Sequence, residues 1–358
     1  MRNVSVRCFY LFFLLYWNIM KAFQLFGKQD LRLVDLPEPI VGNNDVLLKI
    51  KKVGICGTDL HIYNGGMTVP LPLVLGHEFV GDVVKIGEGV TNVKVGDRAV
   101  AEHVIGCGTC FYCKEGKRNL CKTPIVIGLH RAGALAEYLA IPSELVYKLP
   151  DELTYDDGVL VEALSIAVYA VRNTPLRVGD TVAVVGQGPI GLLVDQVAKS
   201  AGATVFGFDR HEQRINFAKE HGYIFQGVNI NKQNYFDEFR HMIDSDGADV
   251  VFEAVGSDSS AELALELARS TGQVTILGVF EHNVQINMMQ IVKKELHVQG
   301  SWTCIYSFSQ SLLLLKSKAI DTTHFITHRY LFLDTAKAFQ EALTDKEGRI
   351  KSVIEFEI

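Results

Sequence analysis

Residues 181–209 read TVAVVGQGPIGLLVDQVAKSAGATVFGFD, and this stretch decides the fold. The apolar run 182–185 predicts a strand, and the segment after the turn predicts a helix. Between them, Gly186, Gly188 and Gly191 form a G-x-G-x-x-G pattern, in which the first glycine allows a tight turn and the third lets helix pack on strand. A second apolar strand, TVFGFD, follows. The stretch therefore predicts one unit of a parallel sheet with crossover helices.

The same turn predicts a dinucleotide site, because its second glycine lets backbone approach a pyrophosphate and the helix N-terminus attracts phosphates. Asp209, 18 residues after Gly191, can accept bonds from both ribose hydroxyls and repels a 2′-phosphate, which favours NAD over NADP. Arg210 weakens that preference, since a guanidinium can accept the phosphate. The open alternative is a glycine-rich turn without a ligand. The predicted cofactor-binding residues are Gly186, Gly188, Pro189, Ile190, Gly191, Asp209, Arg210 and Arg214.

The chain on either side of this stretch shows two different patterns of predicted secondary structure. After Pro150, strands and helices alternate through residue 280, including helical patterns at LSIAVYAVRNT and AELALELARS. Between Asp45 and Val100, short β-branched runs are separated by glycines, which predicts a compact, barrel-like β domain. A chain of 358 residues is long enough for two such domains.

The composition is that of an ordinary globular protein, with 48% hydrophobic residues, 21% charged residues and a net charge of −6. Lysines and arginines are scattered, so nucleic acid is not an expected partner. Near the N-terminus, Cys8 to Tyr16 reads CFYLFFLLY, which is too short to span a membrane. Because Met20 opens an ordinary domain start, we interpret residues 1–19 as an upstream extension or misassigned start rather than an anchor or signal peptide. No membrane association is expected.

Four cysteines lie within one short polar loop at spacings x2, x2 and x7. Thiolates at such intervals converge on Zn²⁺, and four of them close the coordination sphere, so we predict a structural zinc. Two disulfides or an iron–sulfur cluster are the alternatives. Cys8 and Cys304 have no evident partner, which favours a reducing compartment and a cytoplasmic location. The predicted structural ligands are Cys107, Cys110, Cys113 and Cys121.

A second set of metal-ligand types precedes that loop. Cys56 lies in GICGTDLH, and His77 and Glu78 lie in LGHEFVG. Each alone has an ordinary explanation, as a small buried thiol, a core histidine or a solvated acid. Together they supply a thiolate, an imidazole and a carboxylate. Three protein ligands with an open position are typical of catalytic zinc.

The segment GHEFVGDVVKIGEGV, residues 76–90, resembles the zinc signature of the medium-chain zinc-dependent alcohol and polyol dehydrogenases. The resemblance extends from Met20 to the end of the chain. It implies an α/β protein with a GroES-like β-barrel catalytic domain and a Rossmann doubly wound parallel-sheet cofactor domain. It also implies Cys56, His77 and Glu162 around a catalytic zinc, with Glu78 either bound directly or holding the metal-bound water. The implied segments are 1–19 (extension), 20–165 (catalytic domain), 166–302 (NAD-binding domain) and 303–358 (return to the catalytic domain).

The resemblance further implies two zinc ions per chain and oxidation of a small-molecule alcohol by hydride transfer to NAD. Thr58 resembles the family's relay hydroxyl, and His61 resembles its outer proton acceptor. Asp59 would orient the ring of His77. A turn or helix cap is the alternative for Thr58 and Asp59, and a surface histidine is the alternative for His61.

The motifs do not decide the substrate. GICGTDLHIYN most resembles bacterial threonine 3-dehydrogenases. In those enzymes a histidine lies three residues before the first cysteine of the four-cysteine loop, called the lobe from here on, whereas His103 lies four residues before Cys107. Sorbitol dehydrogenases carry an arginine near the place of Thr303. GLHRAGALAEY, residues 128–138, resembles galactonate-type sugar-acid dehydrogenases, in which case His130 and Arg131 contact substrate; Arg131 as a solvated loop charge is the alternative.

We therefore predict oxidation of a secondary alcohol on a small polyol, sugar or sugar acid. Threonine 3-dehydrogenase is the alternative enzyme, and a catalytically silent zinc- and NAD-binding regulator is the alternative from another class. The family also implies a homodimer or homotetramer.

Overall fold

The computed structural model describes residues 18–345 and 348–357 of the chain. Most of the predicted N-terminal extension, residues 1–17, lies outside the described residues. Ile19, its last residue, already belongs to the first strand.

Eighteen strands and ten α-helices are found in the described residues. The strands are β1 (Ile19–Gly27), β2 (Asp30–Pro37), β3 (Asp45–Ile55), β4 (Leu73–Val74), β5 (Glu78–Ile86), β6 (Arg98–Ala101), β7 (Val104–Ile105), β8 (Ile125–Val126), β9 (Tyr138–Pro142), β10 (Val146–Lys148), β11 (Thr181–Val185), β12 (Thr204–Asp209), β13 (Gln226–Asn229), β14 (Ala248–Glu253), β15 (Ala268–Ile276), β16 (His297–Gly300), β17 (Ile326–Leu331) and β18 (Lys351–Glu355). The helices are α1 (Gly57–Tyr63), α2 (Phe111–Lys114), α3 (Tyr155–Arg172), α4 (Pro189–Ser200), α5 (Glu212–Glu220), α6 (Tyr235–Ile243), α7 (Asp258–Leu267), α8 (Met288–Lys294), α9 (Phe308–Lys316) and α10 (Thr335–Thr344).

The β domain is built around strand β3. It pairs with β5, β9 and β18 in a seven-stranded sheet whose main order is β10-β6-β5-β3-β18-β17. Strand β18 comes from the C-terminal end of the chain, so the chain returns to complete the sheet it began. The ladder sets Glu78 opposite Gly54 and Ser352 opposite Ile55. Residues distant in sequence therefore meet at one end of β3.

The second domain contains a six-stranded parallel sheet of order β13-β12-β11-β14-β15-β16. This order reverses direction next to β11 and defines a doubly wound nucleotide-binding fold, which confirms the predicted fold class. Gly186 has a φ of 97°, and a Cβ on Gly191 would lie 1.7 Å from the Gly186 carbonyl oxygen. Only glycine suits these two positions.

Helix α3 connects the two domains. It begins nine residues earlier than the apolar pattern predicts, because Thr154 and Asp157 form a capping box that satisfies the first turn. Twelve of its residues are buried, and it packs on α4, β5 and α9. Glu162 lies in its middle, so a carboxylate is carried into the interior. The helix predicted at AELALELARS ends earlier, at Leu267, because strand β15 begins at Ala268.

Within the described part of the chain, none of the helices combines the length and the apolar character that crossing a bilayer requires. The apolar run Cys8 to Tyr16 is outside that part.

The helix that follows the glycine turn carries a buried carboxyl group that has no role in the predicted cofactor site. Asp195 on α4 is fully buried, and neither of its oxygens has a hydrogen-bond partner among the described residues. Burial raises its pKa well above the usual range, and the nearby Gln187 opposes only part of that shift. The folded state thus holds this proton more tightly than the unfolded chain does, so stability is lost as pH rises from about 4 through the raised pKa.

Asp195→Asn is therefore expected to stabilise the protein at neutral pH, because asparagine has no proton to lose and avoids the cost of ionising a buried carboxyl group. Urea unfolding of both proteins between pH 4 and 8 measures this. The variant's advantage should grow with pH. An advantage that is independent of pH would contradict the titration of Asp195 as its cause.

Candidate active site with two metal-ligand sets and a dinucleotide turn

The predicted open metal site is assembled at the ends of two neighbouring strands. Cys56 follows β3 and caps α1, while Glu78 begins β5 directly after His77. One ligand atom from each of these three side chains lies within 4.8 Å of the others. A cation could therefore bind all three without movement of the backbone.

Asp59 lies behind this site, next to both Cys56 and His77. Its carboxylate accepts a hydrogen bond from the Cys56 N–H at 3.0 Å, and its Oδ1 lies 3.4 Å from Nδ1 of His77. One carboxylate oxygen of Asp59 thus caps the start of α1, while the other faces the ring of His77. Burial alone would lower the pKa of His77, but Asp59 and Cys56 raise it well above its usual range. The site therefore favours a positive charge.

Glu78 forms a buried ion pair that the sequence did not indicate. Nζ of Lys351, at the start of β18, lies 2.8 Å and 2.5 Å from its two carboxylate oxygens. Glu78 is 1% and Lys351 3% exposed. Gly54 makes the approach possible, since a Cβ there would lie 2.3 Å from Oε2 of Glu78. Both oxygens of Glu78 are therefore engaged by an ammonium group.

Glu162 belongs to a neighbouring cluster with His103 and Cys304 rather than to the set of Cys56 and His77. Burial, followed by the Glu78 carboxylate, raises the pKa of Glu162 to about 7. Burial also lowers the pKa of His103 to about 3, helped by His77 and Arg118, so this imidazole is neutral. The rings of His77 and His103 are 5.3 Å apart. The two clusters therefore adjoin.

The predicted proton path lies on helix α1. Thr58 is half-buried and His61 is near the helix end, with 39% of its side chain exposed. Three residues apart on one helix, they share a face. Nδ1 of His61 contacts Oε1 of Glu281, which lies in the segment between β15 and α8 of the nucleotide-binding domain. This contact joins the two domains beside the path.

The predicted cofactor residues surround the N-terminus of α4. Asp209 at the end of β12 accepts hydrogen bonds from the N–H groups of Gln187 and His211, both at 2.8 Å. Nη1 of Arg214 lies 4.0 Å from Asp209 and 3.7 Å from where a Cβ on Gly188 would be. A carboxylate has about four lone-pair sites, so Asp209 retains capacity for ribose hydroxyls. The open side of Gly188 and the helix N-terminus suit a pyrophosphate.

The remaining predicted cofactor-binding residues are Pro189, Ile190 and Arg210. Pro189 is the first residue of α4, where its missing N–H costs nothing, and Ile190 follows it. The guanidinium of Arg210 donates to the ring of His211 at 3.1 Å and is exposed.

The four lobe cysteines converge as their spacing predicts. Cys107 and Cys113 have their sulfurs 4.0 Å apart, and Cys110 and Cys121 have theirs 3.9 Å apart. Sulfurs about 2.3 Å from a tetrahedral zinc lie about 3.8 Å from one another, whereas a disulfide needs about 2 Å. Backbone N–H groups of Cys107, Cys110 and Thr123 point at these sulfurs at 3.3–3.4 Å. The donor set fits a zinc ion.

The lobe is tied to the interior beside the active site. Arg118 forms a buried ion pair with Glu102, the residue before His103, and Asn119 donates to the Trp302 carbonyl at 2.9 Å. Glu102 also accepts from Tyr147 at 2.8 Å. The lobe thus supports the segments that carry His103 and Cys304.

Cys110→Ser is expected to release one zinc per chain and lower stability by at least about 3 kcal/mol, the stabilisation that a ligand at 100 times its Kd supplies. The remaining folded fraction should still bind NAD, because the glycine turn lies in the other domain. Metal analysis, thermal unfolding and NAD titration measure these effects. Thr109→Val, which alters a neighbour of Cys107 but no ligand, is the control. Retained zinc with lost turnover would mean that the structural and catalytic assignments are exchanged.

His130 and Arg131, the residues considered for substrate contact, form hydrogen bonds with nearby backbone groups instead. Nδ1 of His130 accepts from the Val126 N–H at 3.1 Å, and Arg131 donates to the Ala140 carbonyl at 3.0 Å. Both are exposed. Thr303 has a φ of 50°, and its hydroxyl has no hydrogen-bond partner among the described residues. These contacts support the solvated-loop alternative for Arg131.

Sequence reasoning missed Lys351 and Glu281 and left Cys304 without a partner. The available signal for Lys351 was the presence of a lysine in the apolar strand KSVIEF. Glu281 lies in an irregular segment that carried no signal. Cys304 proves to be buried beside His103 and Glu162.

Two family models match this chain. Residues 42–151 match the alcohol dehydrogenase GroES-like domain, and residues 189–317 match the zinc-binding dehydrogenase domain. An L-threonine 3-dehydrogenase of Photorhabdus laumondii is 34% identical, covering 92% of this chain and 98% of that protein. The sorbitol dehydrogenase of Bacillus subtilis is 32% identical, covering 94% and 97%.

Solved structures agree. A putative zinc-binding dehydrogenase from Sinorhizobium meliloti, bound to NADP, is 30% identical with a TM-score of 0.87. A short chain alcohol dehydrogenase from E. coli CFT073, complexed with NADH, is 30% identical with a TM-score of 0.88. Each comparison covers 94% of this chain and 99% of the other.

The fold and the ligand sets define a zinc-binding oxidoreductase that acts on CH–OH groups. More particularly, the chain belongs to the zinc-dependent medium-chain alcohol and polyol dehydrogenase family, which confirms the resemblance drawn from GHEFVGDVVKIGEGV.

Proposed function

We propose that this protein oxidises a secondary alcohol of a small polyol, sugar or sugar acid to a ketone, with NAD as hydride acceptor. The observation that carries the proposal is the convergence of Cys56, His77 and Glu78, with Glu162 beside them, at the centre of a dehydrogenase fold. Zinc held there would act as a Lewis acid that lowers the pKa of the alcohol, and NAD would accept the hydride.

The chain's own residues prepare that step. Asp59 lies 3.4 Å from Nδ1 of His77 and favours its positive charge, and Lys351 balances the charge of Glu78. The proton leaves along the face of α1, from the hydroxyl of Thr58 to His61 and then to solvent. The contact of Glu281 with Nδ1 of His61 keeps that ring oriented beside the cofactor domain.

NAD is preferred over NADP because Asp209 is buried with its carboxylate at the end of β12, where a 2′-phosphate would meet a negative charge. The exposed Arg210 and the nearby Arg214 reduce that preference, and solved relatives bound to NADP and to NADH support both possibilities. Assembly as a homodimer or homotetramer in the cytoplasm remains part of the proposal.

L-Threonine is the alternative substrate, since relatives of that name match over nearly their whole length. Against it, His103 lies one residue further from the first lobe cysteine than in the threonine enzymes. It is also buried beside Glu162 rather than exposed to a substrate channel.

The test is a dehydrogenase assay with NAD and with NADP on polyols, aldonates and L-threonine. Turnover of a polyol or aldonate at least about tenfold above threonine supports the proposal. Turnover of threonine alone favours the alternative enzyme. Activity on none, with about one zinc per chain, would favour a catalytically silent regulator.

A further inference from the structure

Three buried side chains beside the catalytic ligands form a metal-ligand set of their own. His103 lies between β6 and β7, Glu162 lies on α3, and Cys304 lies between β16 and α9. Their ligand atoms are within 4.8 Å of one another, and the residues are 5%, 5% and 1% exposed. A nitrogen, an oxygen and a sulfur from three separate segments thus face one point.

The imidazole of His103 is unsatisfied at that point. Its Nδ1 is buried without a hydrogen-bond partner among the described residues. Oε1 of Glu162 lies 3.4 Å from this nitrogen, beyond the usual range of N–H···O bonds. A buried polar atom left without a partner costs free energy, so this nitrogen needs a ligand.

We propose that His103, Glu162 and Cys304 form a second divalent-metal position in the interior, directly beside the one formed by Cys56, His77 and Glu78. An imidazole, a carboxylate and a thiolate are ligands that Zn²⁺ accepts, and three of them leave one position open. The rings of His77 and His103 are 5.3 Å apart, so this position adjoins the set of Cys56, His77 and Glu78. This inference goes beyond the proposed function and does not depend on the substrate.

The test is zinc stoichiometry of the full chain, loaded with zinc, freed of unbound metal by gel filtration and measured by mass spectrometry of the metal. About three zinc per chain are expected, one in the lobe and two in the interior. Cys304→Ser and His103→Asn should each lower the number to about two. The Cys304→Ser/Cys110→Ser double variant should retain about one, because the two losses are independent.

Ser165→Ala is the matched control, since the Ser165 hydroxyl lies 2.9 Å from the Cys304 sulfur but is not one of the three ligands. It should retain about three zinc. Cobalt loading gives a second readout, because Cys304→Ser should weaken the thiolate-to-cobalt absorption in a protein whose circular dichroism shows it to be folded. About two zinc in the wild type, or a loss in Cys304→Ser without a loss in His103→Asn, would overturn the proposal. Absent turnover with three zinc would count against the proposed function alone.

Discussion

Lys351→Met is expected to destabilise the metal-free protein by about 3–5 kcal/mol, the usual cost of removing one partner from a buried ion pair. The pair is almost inaccessible to water, and the ammonium of Lys351 contacts both oxygens of Glu78. Methionine preserves the length of the side chain but removes the charge, so Glu78 remains buried and unpaired. Urea unfolding at neutral pH measures the loss.

Two further proteins sharpen this prediction. Lys351→Met/Glu78→Gln should recover a large part of the lost stability, because the unpaired charge is gone. Lys52→Met is the matched control on the neighbouring strand β3. Its ion pairs with Asp156 and Glu355 are partly exposed, so a loss of at most about 1 kcal/mol is expected. Equal losses in the two lysine variants would contradict the argument.

Glu162→Ala is expected to reduce kcat by about 10–100-fold while NAD binding is retained. The carboxylate lies in the interior beside both clusters, whereas the glycine turn and Asp209 lie in the other domain. Loss of a group that orients a metal ligand typically costs about 10–100-fold in metal affinity or activity. Steady-state kinetics, NAD titration and zinc content measure the three quantities.

Asp156→Asn is the control for Glu162→Ala, because Asp156 lies on the same helix but pairs with Arg329 and Lys52 at the surface. It should change kcat by no more than about twofold. Glu78→Gln decides which carboxylate holds the zinc. If it abolishes zinc binding while Glu162→Ala leaves kcat intact, then Glu78 is the ligand and the role given to Glu162 is wrong.

Much of the fold could be predicted because its signals are local. The doubly wound sheet follows from the strand, glycine turn and helix at residues 181–209, and the β domain follows from short strands separated by glycines. Helix ends were less predictable. The apolar pattern of α3 gave no indication of the start at Tyr155, because that start depends on the capping box of Thr154 and Asp157.

The candidate site was predictable in its parts but not in its grouping. Cys56, His77 and Glu78 were identified by type and by the resemblance of their neighbours. The partner of Glu78 was not, because a lysine in a terminal strand is equally compatible with a solvent-facing side chain. The contact is made 273 residues away in sequence. It exists only because β18 pairs with β3 in this register, and a slip of one residue would turn Lys351 to the other face.

The sequence by itself determined the two features whose atoms are held together by short stretches of chain. The four lobe cysteines converge within 15 residues, and the glycine turn builds its phosphate cradle from consecutive backbone groups. The tertiary structure alone decided which distant groups face one another: Lys351 with Glu78, and His103 with Glu162 and Cys304. The reason is that strand register and the burial of α3 set these distances, and neither is encoded in local spacing.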